Sequence, residues 1–243
     1  GRKSTRGLGA GSEPSTGEGA AEEARTELLQ ACQDADIVFL TGGLGGGTGT
    51  GSLPVIARLA KERGALTIAI VTLPFSNEGA RRSKNARLGL DKLRKSADTV
   101  IVIPNDKLLQ EEIMNLPLNT AFRQADEILG NAIKCMTEIT SQGGLVNIDF
   151  ADMRSIMDGG GVAMIGMGEG QGANRATDAV SAALQSPLLE LDIANSEGAL
   201  VNVTGGDDMT LQEAHEVVRE VHSKINKDAR IIWGASIDST LEH

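Results

Sequence analysis

Residues 41–52 read TGGLGGGTGTGS, with seven glycines and no lysine. Each glycine costs backbone entropy on folding, so such a run is either a slack linker or a turn whose amide groups must come close to something. The flanks decide between the two. DIVFLT (36–41) enters the run as a short apolar strand, and SLPVIARLAKERG (52–64) leaves it as an amphipathic helix. Ser52 reads as the N-cap of that helix, Pro54 falls in its first turn and Gly64 ends it. A flexible spacer has polar flanks. A strand–glycine turn–helix junction instead offers unpaired N–H groups and the positive end of a helix dipole to an anion.

Two familiar phosphate motifs fail here. A P-loop needs Lys followed by Ser or Thr after its last glycine, and Gly51 is followed by Ser52 and Leu53. The dinucleotide fingerprint G-x-G-x-x-G also breaks: counted from Gly43, Gly45, Gly47 or Gly49, its sixth position is Thr48, Thr50, Ser52 or Pro54. A loop without lysine must hold phosphate by backbone amides and the Thr48, Thr50 and Ser52 hydroxyls, each hydrogen bond to a charged group contributing about 1.5–3 kcal/mol.

The chain has 243 residues, 33 of them acidic and 23 basic, for a net charge of −10. That balance argues against a general nucleic-acid surface, which rests on Lys and Arg. It does not forbid an anionic ligand, because distant surface charges are screened beyond about 8 Å at physiological salt. No apolar run approaches the ~20 residues of a membrane span, and no secretory signal opens the sequence. Cys32 and Cys135 lie far apart within helical patterns and are expected as reduced thiols. His215, His222 and His243 sit in no metal-ligand pattern, and the first two are expected on the surface of one helix. No metal site held by side chains is expected.

Outward from the glycine run the chain alternates. Residues 1–20 read as a Gly/Ser/Thr/Pro loop and 21–35 as a helix. ALTIAIVTLP (65–74) is a strand, NEGARRSKNARLGLDKLRKSA (77–97) a helix and DTVIVIP (98–104) a strand. Strands apolar on both sides and separated by helices predict a parallel sheet covered on each face. One long helical stripe follows, through positions 122, 125, 128, 129, 132, 133, 136 and 139, and stops at Gly143 and Gly144. Beyond it come strand LVNI (145–148), helix FADMRSIM (150–157), strand GVAMIGMGEG (161–170) and helix RATDAVSAALQS (175–186). Strand GALVNVTG (198–205), helix TLQEAHEVVREVHSKI (210–225) and strand RIIWGAS (230–236) complete the pattern. The predicted fold is α/β in two parts: residues 1–118, a connecting helix 119–142, and a smaller α/β domain 143–243.

The glycine run GGLGGGTGTGS resembles the phosphate loop of the tubulin/FtsZ superfamily. TRGLGAGSEPSTG, TLPFSNEGARR, VIPNDKLL, AFRQADEIL and GLVNIDFADMRSIM each resemble an FtsZ block, in FtsZ order, and GVAMIGMGEG and IIWGASID resemble its C-terminal half. The likeness covers essentially the whole chain and is strongest to the archaeal type of this cell-division GTPase. It implies a Rossmann-like GTPase domain joined by a central helix to a second α/β domain.

It also implies roles for particular residues. Gly45, Gly46, Gly47, Thr48, Gly49 and Thr50 would cradle the phosphates, with Gly9, Ala10 and Gly11 of the opening loop beside the terminal one. Glu78 and Arg82 would contact the ribose region, although by spacing alone they are an i,i+4 surface pair. Asn105 would be a nucleotide contact, where its bland reading is a helix cap. Phe122 would stack on guanine and Asp126 bond its edge; a phenylalanine at that spacing also reads as core. Asn147, Asp149 and Asp152 match the loop that the family inserts into the nucleotide site of the next protomer, where carboxylates polarise the attacking water. Asp149 and Asp152 equally suit the first turn of helix 150–157.

The resemblance further implies GTP as substrate, Mg²⁺ as the reaction's expected companion, head-to-tail homopolymers, division-ring partners and a cytoplasmic mid-cell location. A superfamily relative serving cell shape is the alternative. A dinucleotide oxidoreductase is disfavoured by the failed fingerprint. Against the family pattern the chain lacks the opening strand, glycine turn and helix, and it stops before the last long strand, so it reads as truncated at both ends. The expectation is a chain with one sheet edge bare, poorly stable by itself and binding GTP weakly or not at all.

Overall fold

The computed structural model describes residues 1–108, 118–141, 145–186, 188, 189 and 193–241. Their contacts divide into two compact units, Gly1–Gly130 with Met157–Ala163, and Asn131–Ile156 with Met164–His243.

The first unit is built on a parallel sheet in the order β1 (Ile37–Gly43), β2 (Leu66–Leu73), β3 (Thr99–Pro104), β4 (Gly161–Ala163). Helices α1 (Pro14–Glu23), α2 (Arg25–Ala31), α3 (Thr48–Glu62) and α4 (Ala80–Ser96) connect and cover it, with a short α5 (Asn105–Leu108) after β3. Successive side chains of a strand point to opposite faces. Ala69 and Val71 of β2 and Val100 of β3 therefore join Leu53 and Ala57 of α3 and Ala86 and Leu93 of α4 in one cluster. Ile68, Ile70 and Ile103, directed to the other face, are also fully buried. Each such side chain contributes about 1.5–3 kcal/mol. A second layer forms outside α3, where Ala21 of α1 meets Val55 and Leu59, with Leu28 and Leu29 of α2 alongside. β1 is the edge of the sheet among the described residues, pairing with β2 alone, and Ile37, Val38 and Phe39 are only half-buried.

Before the long helix, three expectations need correction. The opening twenty residues are not all loop: α1 starts at Pro14, whose fixed φ suits a first helical turn. Gly17, one of the glycines that suggested a loop, serves close packing instead. A Cβ at Gly17 would lie 2.2 Å from the Gly47 carbonyl oxygen, so α1 passes α3 backbone to backbone. The single helix expected over 21–35 is broken at Ala24 into α1 and α2. Third, α3 begins at Thr48 rather than Ser52, within the glycine run itself, which leaves Pro54 inside the helix.

The long helix α6 (Leu118–Ser141) belongs to the first unit up to Gly130 and to the second from Asn131, so contacts divide within it rather than at its ends. Its expected stop at Gly143 and Gly144 lies outside the described residues. The second unit contains α7 (Phe150–Met157), α8 (Arg175–Leu184), β5 (Gly198–Gly205), α9 (Leu211–Lys224) and β6 (Arg230–Ile237), with β5 and β6 pairing in parallel. The expected strand 145–148 reduces to one antiparallel bridge, Val146 with Ala235. The expected strand 161–170 keeps only Gly161–Ala163. Beyond it, alternate glycines lay the backbone on α8: a Cβ at Gly166, Gly168 or Gly170 would come within 2.4, 2.2 or 2.0 Å of the carbonyl oxygens of Ala183, Ala179 or Arg175. Among the described residues no strand pairs with 164–170.

Arg175 fastens α8 to the start of α9. Its guanidinium donates to both Asp208 oxygens at 3.0 and 2.9 Å and to Glu213 at 2.7 and 3.2 Å. Glu213 also accepts from the Thr210 N–H and hydroxyl in a capping box. Arg175 first, then Thr210, hold the Glu213 carboxyl down to about 2.

Candidate functional site

The C-terminal ends of β1, β2 and β3 lie side by side, Gly43 opposite Thr72 and Leu73 opposite Pro104. Ligands of open α/β sheets gather at this edge. Leu44 N–H donates to the Thr72 carbonyl at 2.9 Å, and Gly45 then turns the chain at φ +108, hard against Arg82 and Pro74. Gly45 N–H donates to Thr50 Oγ1 at 2.8 Å, a buried bond that folds the run into the first turn of α3. Ser52 Oγ donates to the Thr48 carbonyl at 2.7 Å. Two of the three hydroxyls expected on a phosphate therefore hold the loop in shape, and Thr48 remains exposed.

The backbone supplies the rest. Gly51 N–H reaches the Gly47 carbonyl at 3.1 Å, whereas the N–H groups of Gly46, Gly47, Thr48, Gly49 and Thr50 have no acceptor among the described residues. A Cβ added at Gly46 would meet nothing within 4 Å. The start of this 15-residue helix thus carries a row of unpaired N–H groups, open at Gly46 and closed by Ala10 at Gly47 and by Gly43 at Gly49, a setting that suits an anion.

The opening loop packs on this cradle. Arg6, Gly7, Gly9, Gly11 and Ser12 all have positive φ, coiling the loop tightly. It brings buried Ala10 so close to Gly47 that a Cβ on Gly47 would stand 2.7 Å from that of Ala10. Asn85 of α4 ties the two loops together, its Nδ2 donating to the carbonyls of Ser12 at 3.1 Å and Gly45 at 3.3 Å. Glu23 anchors the start of the loop by accepting from the N–H groups of Lys3 and Ser4 and from the Ser4 hydroxyl, which hold its carboxyl down to about 2.

Glu78 and Arg82 form an ion pair with each other, and Glu78 also accepts from Phe75 N–H at 3.0 Å. Because the Arg82 carbonyl backs Gly45, the pair frames the cradle. Asn105 begins α5 at the end of β3, buried, with its Oδ1 unpartnered; its side chain therefore does not cap the helix. Asp126 is exposed on α6. Phe122 lies on the same helix, and its side chain falls outside the described set.

In the second unit Asn147, Asp149 and Asp152 are all exposed. Asp149 Oδ1 accepts from Ala151 N–H at 3.1 Å, so Asp149 does cap α7, and Asp152 stands in the first turn. Met153, fully buried beneath them, seats the helix. The turn thus presents two carboxylates and an amide outward on a fixed base. Among the described residues no group of three or more His, Cys, Asp or Glu could hold a metal ion. His215 and His222 are exposed as expected, the former edge-on to Trp233, and Cys32 and Cys135 are free thiols.

Sequence reasoning missed Asn85 and Gly17. Asn85 is a lone amide in a basic helix, on the side turned toward the glycine run, and that placement was its available signal. Gly17 gave none until α1 was known to be a helix.

The first unit thus joins a parallel α/β sheet to a glycine-rich, lysine-free turn with unpaired amides at the C-terminal edge of its strands. Residues 1–112 match the family model described as Tubulin/FtsZ family, GTPase domain, and residues 161–243 match FtsZ family, C-terminal domain. The chain is 56% identical over its whole length to the cell division protein FtsZ 1 of Archaeoglobus fulgidus, covering 66% of that protein. It is 58% identical over 98% of its length to the cell division protein FtsZ of Methanothermobacter thermautotrophicus, covering 62% of it. An empty FtsZ dimer of M. jannaschii superposes with a TM-score of 0.95 at 55% identity, over all of this chain and 70% of that one. The chain belongs to the FtsZ family. It spans just under two thirds of the length of these curated relatives.

Proposed function

We propose that the protein of which this chain is part binds and hydrolyses GTP and polymerises head to tail into filaments of a cell-division ring. The observation that carries this reading is the row of unpaired amides from Gly46 to Thr50, open at Gly46, at the start of a helix and at the C-terminal edge of a parallel sheet. Those amides and the Thr48 hydroxyl bind the β- and γ-phosphates, and Gly9, Ala10 and Gly11 close over the terminal one. Glu78 and Arg82 flank the ribose, Asn105 offers its unpartnered oxygen to a donor on the nucleotide, and Phe122 and Asp126 take the guanine.

Asn147, Asp149 and Asp152 act on the nucleotide of the next protomer. A carboxylate that accepts a proton from water and holds it in line with the γ-phosphate supplies positioning and charge, which is most of what phosphoryl transfer requires. The Asp149 cap fixes the turn so that the remaining carboxylate oxygens face outward. Mg²⁺ would supply positive charge against the phosphates, and the described residues offer it no cluster of three His, Cys, Asp or Glu ligands.

The test is GTP turnover by the full-length protein with Asp149 and Asp152 both changed to Ala. GTP binding is expected to persist while turnover falls at least about 100-fold; unchanged turnover would overturn the assignment.

A further inference from the structure

We propose that the outward face of α4 docks a second copy of this chain side by side, against the acidic surface around α8 of that copy. The inference extends the reading of a self-associating protein, but it rests on charge rather than on nucleotide chemistry.

α4 carries seven Lys and Arg and one Asp, in a chain of net charge −10. Its basic residues fall into two sets. Arg81, Arg82 and Lys92 are neutralised within the chain by Glu13, Glu78 and Glu18. On the opposite flank and the outer face, Lys84, Arg87, Arg94 and Lys95 are exposed and form no ion pair among the described residues. At 100° per residue these four gather with Leu88 and Asp91 into one stripe, with Leu88, 53% exposed, along one margin. A stripe with four cations, one anion and an exposed leucine has the makeup of a contact surface for an acidic partner.

The second unit offers the complement. It holds sixteen Asp and Glu against seven Lys and Arg. Glu169, Asp178 and Asp207 are exposed there and form no ion pair among the described residues. They belong to one neighbourhood: Gly170 lies against Arg175, Arg175 binds Asp208, and Asp178 follows on the first turn of α8. An anionic membrane fits α4 less well. A membrane-surface helix sets its basic side against an apolar side that enters the lipid. The apolar side of α4, Ala86, Gly89 and Leu93, is spent on the protein core, and Asp91 interrupts the basic one.

The test is sedimentation velocity on the full-length protein without nucleotide, in about 50 mM and about 500 mM salt. Wild type should self-associate at low salt and separate at high salt. Arg87→Glu/Arg94→Glu/Lys95→Glu should weaken low-salt association at least about tenfold, as should Glu169→Lys/Asp178→Lys/Asp207→Lys. An equimolar mixture of the two variants should associate again, because each carries the face the other has lost. Association indifferent to either reversal, or no recovery in the mixture, overturns the proposal. So does co-sedimentation with phosphatidylglycerol vesicles that the α4 reversal abolishes while self-association is unchanged, which would assign the face to a membrane. GTP turnover measured in parallel keeps the readings apart: its absence in wild type would sink the GTPase assignment and leave the association result standing.

Discussion

At the glycine run of the first unit a methyl group has almost nowhere to go, whereas the acidic turn of the second unit stands in the open. A Cβ at Gly51 would lie 2.0 Å from the Pro14 carbonyl oxygen, and one at Gly49 2.4 Å from that of Gly43. Gly46, three residues before Gly49, looks into open space. Asn147, Asp149 and Asp152 by contrast are all exposed, held from below by buried Met153 and by one capping bond. The difference is chemical. Amides must be prearranged before a phosphate arrives, because each unpaired N–H is costly unless the ligand takes it up. Carboxylates that act on another molecule must stay accessible and need only a fixed base.

The contrast is broken most forcefully at Gly51. Gly51→Ala drives its methyl into main chain of α1 rather than into a movable side chain, and should lower unfolding free energy by about 3 kcal/mol or more in urea titration. Loss of under about 1 kcal/mol would mean that α1 is not seated on α3 as described.

Next in size is the tie between α8 and α9 in the second unit. Arg175→Ala leaves Asp208 and Glu213 without their shared cation and should lower the midpoint of urea unfolding. Its pH dependence has a definite sign. The Glu213 carboxyl falls from an ordinary 4.5 to about 2 in the folded chain, so its contribution is full above 4.5 and is lost as pH falls toward 2. Wild type and Glu213→Gln, compared by thermal unfolding, should differ at neutral pH and converge near pH 2.

The acidic turn itself should separate its two carboxylates. Asp149→Ala removes the α7 cap and should cost about 1 kcal/mol of stability as well as turnover. Asp152→Ala should cost turnover while stability stays within about 0.5 kcal/mol. Equal stability losses in the two would contradict the capping geometry. Gly46→Leu, which fills the open space at that residue, also touches folding little. It should change stability by less than about 1 kcal/mol yet abolish GTP binding, read by a fluorescent-nucleotide titration.

Much of this was legible in the residues themselves. Apolar runs such as LTIAIVTL announce a strand buried on both faces, and β2 is one. The strand–glycine–helix junction is likewise readable, although its helix starts at Thr48, inside the glycine run. Legibility ended where backbone meets backbone. GVAMIGMGEG has the composition of a strand, but its alternate glycines are there so that extended chain can lie on α8, a tertiary fact absent from local pattern. STGEGA reads as loop for the same reason, since Gly17 is placed by its approach to Gly47. Within the site, residue types were readable and their partners were not: Thr50 and Ser52 bond the loop, Asp149 bonds its own helix, and Asn85 joins two loops through a single amide.

The central claim is that cradle and acids work on one GTP from two different protomers. It is tested most directly by mixing two inactive full-length variants, Gly46→Leu and Asp149→Ala/Asp152→Ala, in equal amounts. If protomers alternate at random along a head-to-tail filament, an intact cradle meets intact acids at about a quarter of the junctions, and turnover should recover to about that fraction of wild type. Two variants each inactive alone, and a mixture that stays inactive although they demonstrably co-assemble, would contradict it.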